Sequence, residues 1–267
     1  MSNSLHFLKP RRGAVERSVY IVGLLIEAGA PMSIADIANA SGLEANSVHR
    51  LLQKLVATGH VYRNPVTKRF GAGPQALFPM SLHHPLNGLR QEAREQLRLL
   101  RERYFESVCL IIFIGGERVI VDFIQGREPL SPLYETRLSN PLHASAAGII
   151  LLDEMPARER RECLGKEPFA APTVQTVTSY AVLEQQFEAL QRDGYAVAHE
   201  TAFIGVNAVA APIRYQGKGI GCIAITGSSQ TITEEQLKIL GAALKHSANL
   251  ISVGAPSVRA VAHFLGI

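Results

Sequence analysis

Apolar positions recur at spacings of three and four through the first part of the chain, and the period then shortens to that of strands. From Met32 to Phe70 the pattern reads as helix, turn, helix and hairpin. Ile34, Ile37 and Ala38 share one face of a short helix, with Ser33 placed to cap it. Ser41-Gly42 stops that helix, because glycine enters the left-handed conformation at low steric cost. A second helix follows over roughly Ala45 to Thr58, with Val48, Leu51, Leu52, Leu55 and Val56 as its apolar face, and Gly59 ends it. Val61-Tyr62-Arg63 and Lys68-Arg69-Phe70 then alternate as strands around the turn Asn64-Pro65-Val66-Thr67. Upstream, Ala14 to Ala28 reads as a helix. Its Val15, Val19, Val22 and Ile26 share one face with Leu25 beside them, and that face is expected to complete the core behind the two helices.

Gly71 to Pro85 carries Gly, Pro and a His pair and marks a boundary. Leu86, Leu89, Ala93, Leu97, Leu100 and Tyr104 then form the apolar stripe of one long helix, whose other faces alternate Arg and Glu. This helix is expected to join two domains or to pair with its own copy. Val108 to Ile114 is a continuous, largely β-branched run ending at Gly115-Gly116, with Arg118 to Ile124 as its hairpin partner. The segment Pro141 to Gly148 opens a buried helix. Glu159 to Cys163 and Tyr180 to Arg192 are further helices, the second stopped at Asp193-Gly194. Strands follow at Tyr195 to His199, Val209 to Arg214 and Gly219 to Thr226, the last two joined by a tight turn at Tyr215 to Lys218. Thr233 with Gln236 forms a capping box that starts a helix bearing Leu237, Leu240 and Leu244. Strands with helices at the ends and between them imply an α+β domain with a curved antiparallel sheet. The apolar tail from Pro256 to Ile267 is left to pack on the domain or on a partner.

The 267 residues, 47 % of them hydrophobic, accommodate two domains with a sizeable core. The expected division is a flexible basic arm over 1–12, a winged helix-turn-helix over 13–80, a linker helix over 81–105 and an effector-binding and oligomerisation domain over 106–267. Three scattered cysteines, Cys109, Cys163 and Cys222, match neither a disulfide framework nor a metal motif. The histidines fit no ligand spacing, so no metal or cofactor is expected. The amino-terminal segment has no apolar core of a signal peptide, and no apolar run reaches the length of a membrane span. A cytoplasmic protein without a membrane partner is the expectation.

The polar face of the second helix carries Asn46, Ser47, His49, Arg50, Gln53 and Lys54, groups able to donate to phosphates or to read base edges. Residues 1–80 hold nine Lys and Arg against four Asp and Glu, a net +5, whereas the whole chain is +4. The basic excess therefore sits in the helix-turn-helix part, as duplex DNA binding requires. Asn46, Ser47, His49 and Arg50 lie near the start of the helix, where base edges are reached. Gln53 and Lys54 lie later, toward phosphates, with Arg63, Lys68 and Arg69 on the wing and Arg11 and Arg12 on an arm that can reach a minor groove. The plain alternative is a solvated charged helix on an ordinary domain, since many helical hairpins share this pattern.

These residues together resemble the IclR family of bacterial transcription regulators. The resemblance rests on Gly13-Ala14-Val15-Glu16-Arg17, Asn46-Ser47-Val48-His49-Arg50-Leu51-Leu52 and Pro141-Leu142-His143-Ala144. It continues through Gly194-Tyr195-Ala196, Glu200, Gly205, Ala210-Ala211-Pro212 and Thr226-Gly227. It implies a winged-helix domain, a linker helix and a GAF-like effector domain. It also implies a dimer or dimer of dimers on double-stranded operator DNA, controlled by a small-molecule effector that is commonly a carboxylate. Within the family the pair matched by His49 and Arg50 is shared across different operators, which favours backbone contact or packing for these two.

The resemblance also places an effector site. Ser145, Ala146 and Ala147 match a helix start whose backbone N–H groups and dipole favour an anion, the plain alternative being an ordinary cap on a core helix. Where members that bind small keto acids carry an Asp, a Cys and a Ser, this chain has Ala198, Ala208 and Ala224, with His199, Asn207 and Thr226 as nearby polar groups. A pocket that exchanges an acid, a thiol and a hydroxyl for three methyls is roomier and more apolar, which favours an aromatic carboxylate. His143 reads as a buried residue bonded to backbone. Two rivals remain. One is an enzyme fused to a winged helix, with Ser145 as nucleophile and His143 or His199 as base, but no nucleophile elbow surrounds Ser145. The other is a winged helix that binds protein or RNA.

Overall fold

The computed structural model describes residues 13–128 and 138–267. The chain divides into two compact units between Leu82 and His83. In the first, α1 (Ala14–Ala28), α2 (Ile34–Ser41) and α3 (Ala45–Ala57) precede a hairpin of β1 (Val61–Arg63) and β2 (Phe70–Ala72) and a short α4 (Pro74–Leu77). The Ser33 hydroxyl accepts from the Asp36 amide while the Asp36 carboxylate accepts from the Ser33 amide, a reciprocal cap on α2. Gly42, with φ at +67°, turns the chain out of that helix. Ile21, Leu24, Leu25, Ile37, Val48, Leu51, Leu52, Leu55, Val61 and Phe70 form the core of the unit.

Two expectations here are corrected. α1 does form, but it turns a different face inward: Tyr20, Ile21, Leu24 and Leu25 are buried, while Val15 is 77 % and Val19 is 55 % exposed. Both sets recur with helical spacing, so periodicity alone cannot choose between them; the larger side chains fill the space against α2 and α3. The returning strand of the wing is Phe70–Ala72, not Lys68–Phe70. The Asn64 side chain accepts from the Val66 and Thr67 amides and Lys68 adopts a left-handed φ, so the turn consumes Lys68 and Arg69. Gly71 lies against the Tyr62 ring, where an added Cβ would approach to 2.5 Å. Met32 pairs with Phe70 as a third, single-residue strand.

The second unit begins with α5 (Pro85–Tyr104) and the antiparallel pair β3 (Ser107–Ile114) and β4 (Glu117–Ile124). Next come a 3₁₀ turn (Leu142–Ala144), α6 (Ala146–Glu154), α7 (Ala157–Leu164) and α8 (Tyr180–Asp193). Then β5 (Ala196–His199), β6 (Val206–Tyr215) and β7 (Lys218–Ser228) lead into α9 (Glu234–Gly254) and α10 (Ser257–Phe264). The sheet is antiparallel throughout, in the order β4-β3-β7-β6-β5. Gln216 and Gly217 both take positive φ in the β6–β7 turn, the geometry that matches strand twist.

Both faces of the sheet are covered. On one lie Val108, Leu110, Ile112, Val209, Ala211, Ile213, Ile220 and Ile225, packed under α5, α9 and α10. The stripe Leu86, Leu89, Ala93, Leu97 and Leu100 of α5, read from sequence as a linker surface, is buried within this core. The carboxy-terminal tail forms α10 and adds Val258, Val261 and Ala262 to it, held by Glu92, whose carboxylate accepts from the Ser257 amide and hydroxyl. On the other face lie Cys109, Ile111, Phe113, Ala196, Ala198, Ala210, Cys222 and Ala224, packed under α6 and α8.

Gly221 is a point where strands meet too closely for a side chain: an added Cβ would lie 2.2 Å from the Ile111 carbonyl oxygen. Gly221→Ala is expected to lower the stability of the second unit by about 1–3 kcal/mol, the usual cost of forced overpacking, seen as a lower midpoint in chemical denaturation.

Candidate functional site

In the first unit, α3 buries Val48, Leu51, Leu52 and Leu55 and turns Asn46, His49, Arg50, Gln53 and Lys54 to solvent; Ser47 is half-buried. On the wing, the Arg63 guanidinium lies 5.6 Å from the centre of the Phe70 ring. Lys68 Nζ donates to the Pro65 carbonyl at 2.7 Å. Arg69 Nη1 donates to the Pro31 carbonyl at 3.3 Å and forms a 3.4 Å ion pair with Asp36. The Ser33 amide and hydroxyl, and then Arg69, hold the Asp36 carboxyl below its ordinary range. The result is an exposed polar helix face and, in the same unit, a basic hairpin. Arg11 and Arg12, expected on an arm, lie outside the described residues.

The second candidate site is where α6 starts. Ser145 caps this helix, its hydroxyl accepting from the Gly148 amide at 3.1 Å. A helix leaves its first amides without partners inside the helix, so Ala146 and Ala147 present theirs at the buried end. Ala146 through Leu152 are all buried, so α6 is enclosed on every side. Gly148 has no room for a side chain, since an added Cβ would lie 2.1 Å from the Leu142 carbonyl oxygen. The Thr201 hydroxyl donates to the Ala144 carbonyl at 2.7 Å, tying the loop after β5 to the helix start.

Register sorts the residues that sequence placed at this site. Ala198, Ala208 and Thr226 stand side by side across β5, β6 and β7. Ala196, Ala210, Ala224 and Cys109 form the next row, continued by Phe123 on β4. Apart from Phe123, these rows are a floor of small side chains beneath α6. Asn207 does not belong to it: by strand alternation it faces away, buried, with Oδ1 accepting from the Glu200 amide and Nδ2 donating to the Ile232 carbonyl. Its role is to hold two loops. His199 is also separate, exposed at the sheet edge, where it lines a cavity of about 330 Å³ with Ile149, Gln186, Tyr195 and Thr201. His143 is buried, with Nε2 2.8 Å from the Ala170 carbonyl oxygen, and so serves structure.

One functional candidate escaped the sequence reading. Arg118 on β4 is 2 % exposed, and its guanidinium donates to the Ser145 hydroxyl and to the Leu138 and Asn140 carbonyls. Burial pushes its pKa down to about 10. The signal was present in the strand period, for Arg118 is in phase with Ile120, which faces α6, and it pairs with Phe113.

Known proteins give an independent comparison. The family model for the IclR helix-turn-helix domain matches residues 14–65, and the model for the bacterial transcriptional regulator IclR C-terminal domain matches residues 84–253. The HTH-type transcriptional regulator XynR of Escherichia coli is 25 % identical over 227 residues, covering 84 % of this chain and 89 % of that one. The crystal structure of the Thermotoga maritima IclR superposes with a TM-score of 0.73 at 25 % identity, covering 90 % of this chain and 98 % of that one. An IclR homolog from Microbacterium hydrocarbonoxydans, complexed with 4-hydroxybenzoate, superposes with a TM-score of 0.72 at 24 % identity, covering 93 % of this chain and all of that one.

The sheet floor also carries a chemical reporter. Cys109 and Cys222 are buried and Cys163 is exposed. Burial pushes the Cys109 thiol up to about 12 and raises Cys222 as well. Titration of the native protein with an aromatic disulfide reagent at mildly alkaline pH is expected to modify one thiol per chain promptly, and the other two only after denaturant is added.

Proposed function

The chain belongs to the IclR family of bacterial transcription regulators, and we propose that it binds operator DNA through α3 and the β1–β2 wing under the control of an aromatic carboxylate held beneath α6. The DNA reading is carried by the exposed polar face of α3 in the part of the sequence that holds the basic excess. Asn46 and Ser47 near the helix start read base edges. His49 and Arg50 contact the sugar-phosphate backbone beside them. Gln53, Lys54, Arg63, Lys68 and Arg69 contact phosphates, with Arg11 and Arg12 following the DNA away from the helix. The exposed Val15, Val19 and Ile26 on α1 support self-association, since a second apolar stripe in water favours a partner surface. A pair of such units suits a palindromic operator.

The effector reading is carried by the helix start above the floor of small residues. The Ala146 and Ala147 amides and the dipole of α6 favour a carboxylate, and Ala198, Ala208 and Ala224 leave apolar width beside it, with Thr226 as the polar neighbour. That the homolog from Microbacterium hydrocarbonoxydans was solved with 4-hydroxybenzoate supports an aromatic acid here.

Two experiments test these readings. In titrations of operator and unrelated duplex, Lys54→Ala should weaken both alike and reduce the slope of log affinity against log salt by about one. Asn46→Ala should cost about 1–3 kcal/mol on the operator alone. Equal loss on both duplexes from Asn46→Ala would remove it from base reading. In a thermal-shift screen of the full chain, 4-hydroxybenzoate is expected to raise the melting temperature, and at a hundredfold excess over Kd to add about 2.7 kcal/mol. Stabilisation by glyoxylate or pyruvate but not by benzoates would overturn the aromatic assignment.

A further inference from the structure

Arg118 is a buried cation that no carboxylate of the described residues partners. Its partners are a hydroxyl and two carbonyls, all neutral. Among the described residues its Nε is buried and has no hydrogen-bond partner. The preceding Glu117 lies on the opposite face of the strand by alternation, so it does not face α6. Burying an ionised group without an opposite charge is costly, and proteins normally pair it or move it to the surface.

The surroundings make the cost larger. The guanidinium donates to the hydroxyl of Ser145, the residue that caps α6. The start of a helix is its positive end, with unpartnered amides pointing outward. A cation placed there meets a like-signed field, and the Ser145 oxygen is shared between the Gly148 amide and the guanidinium. Two independent features, a helix start and a buried arginine with an unused N–H, thus lack the same thing. One negative group would satisfy both.

We propose that Arg118 is the counter-ion for the effector of this chain: the carboxylate sits between the guanidinium and the Ala146 and Ala147 amides, with the rest of the molecule over the alanine floor. This rests on the effector reading above and adds a residue and a charge requirement to it. Arg118 then selects acids over neutral molecules of the same shape. Phe113, its cross-strand neighbour, and Ile120, in phase on the same strand, supply apolar surface beside the charge. Excluding water from that contact strengthens it.

The test uses the full chain and two probes of one shape, 4-hydroxybenzoate and 4-hydroxybenzamide, titrated calorimetrically into the wild type, Arg118→Met and Arg118→Lys. The wild type is expected to prefer the acid by at least about thirtyfold, the lower range for one partner of a buried charge pair. Arg118→Met should level that preference, and Arg118→Lys should recover part of it. A wild type that binds acid and amide equally overturns the proposal without any variant, so a misfolded Arg118→Met cannot shelter it. An Arg118→Met protein that keeps the acid preference leaves Arg118 as a strut for the loop and overturns the proposal while sparing the effector reading. If neither benzoate nor benzamide binds the wild type, the aromatic effector reading fails and this proposal with it.

Discussion

The second unit depends on a sheet that must be dry on both faces. Strand β3 shows the consequence most plainly: every residue from Ser107 to Phe113 is buried, so it reads as an unbroken apolar run without the alternation of a one-sided strand. The two faces differ in side-chain size. Toward α5, α9 and α10 the strands present mainly Val, Leu and Ile, each worth about 1.5–3 kcal/mol when fully buried. Toward α6 they present mostly Ala and Cys across β5, β6 and β7. Stability is concentrated on the first face. The second gives up apolar volume and in return lets a helix of small residues come close, with its amino terminus enclosed by protein.

An enclosed helix start brings its own requirement. Buried amides must be satisfied, and Ser145 meets only one of them directly. Hydrogen bonds tie this segment to Thr201, to Ala170 through His143, and to Arg118, in three different parts of the chain. Thr173 and Thr176 continue the net to the loop after β5, the Thr176 hydroxyl donating to the Thr201 carbonyl at 2.6 Å. This is a polar network in the middle of an apolar domain, and among the described residues it holds the Arg118 cation with no carboxylate bonded to it. Local rules are broken mainly where a protein does something other than fold.

The sequence made much of this legible, and the failures have identifiable causes. Helix α3, the cap at Ser33, the Gly42 stop and the hairpin β3–β4 follow from local chemistry, and the structure places them close to where spacing puts them. The face of α1 does not, because Val15-Val19-Ile26 and Tyr20-Leu24 with Ile21-Leu25 are equally periodic and only tertiary packing decides. Helix α5 reads as a helix that joins two domains or pairs with its copy because the strands and α10 that cover its stripe arrive later in the sequence. Among the candidate effector residues, the three alanines and Thr226 share a face as their positions imply, whereas Asn207 is one residue out of phase and turns away. Arg118 was missed for a plainer reason: an arginine at the start of a strand is usually exposed, and only the phase of Ile120 argued otherwise.

In the first unit the same groups serve both folding and charge. The reciprocal cap of α2 needs an acid at Asp36, and that acid then lies against Arg69 and holds part of its charge. Lys68 donates to a carbonyl of its own turn, and Arg63 stacks on the Phe70 ring that closes the core. These contacts are exposed and each is weak, so none fixes its side chain against a stronger acceptor. A phosphate carries a full negative charge and accepts several charge-assisted hydrogen bonds, so on the proposed DNA reading it would draw Lys68 from its carbonyl and compete with Asp36 for Arg69. A wing built this way keeps its turn in shape when free and still has cations to give, which a wing of fully buried ion pairs would not.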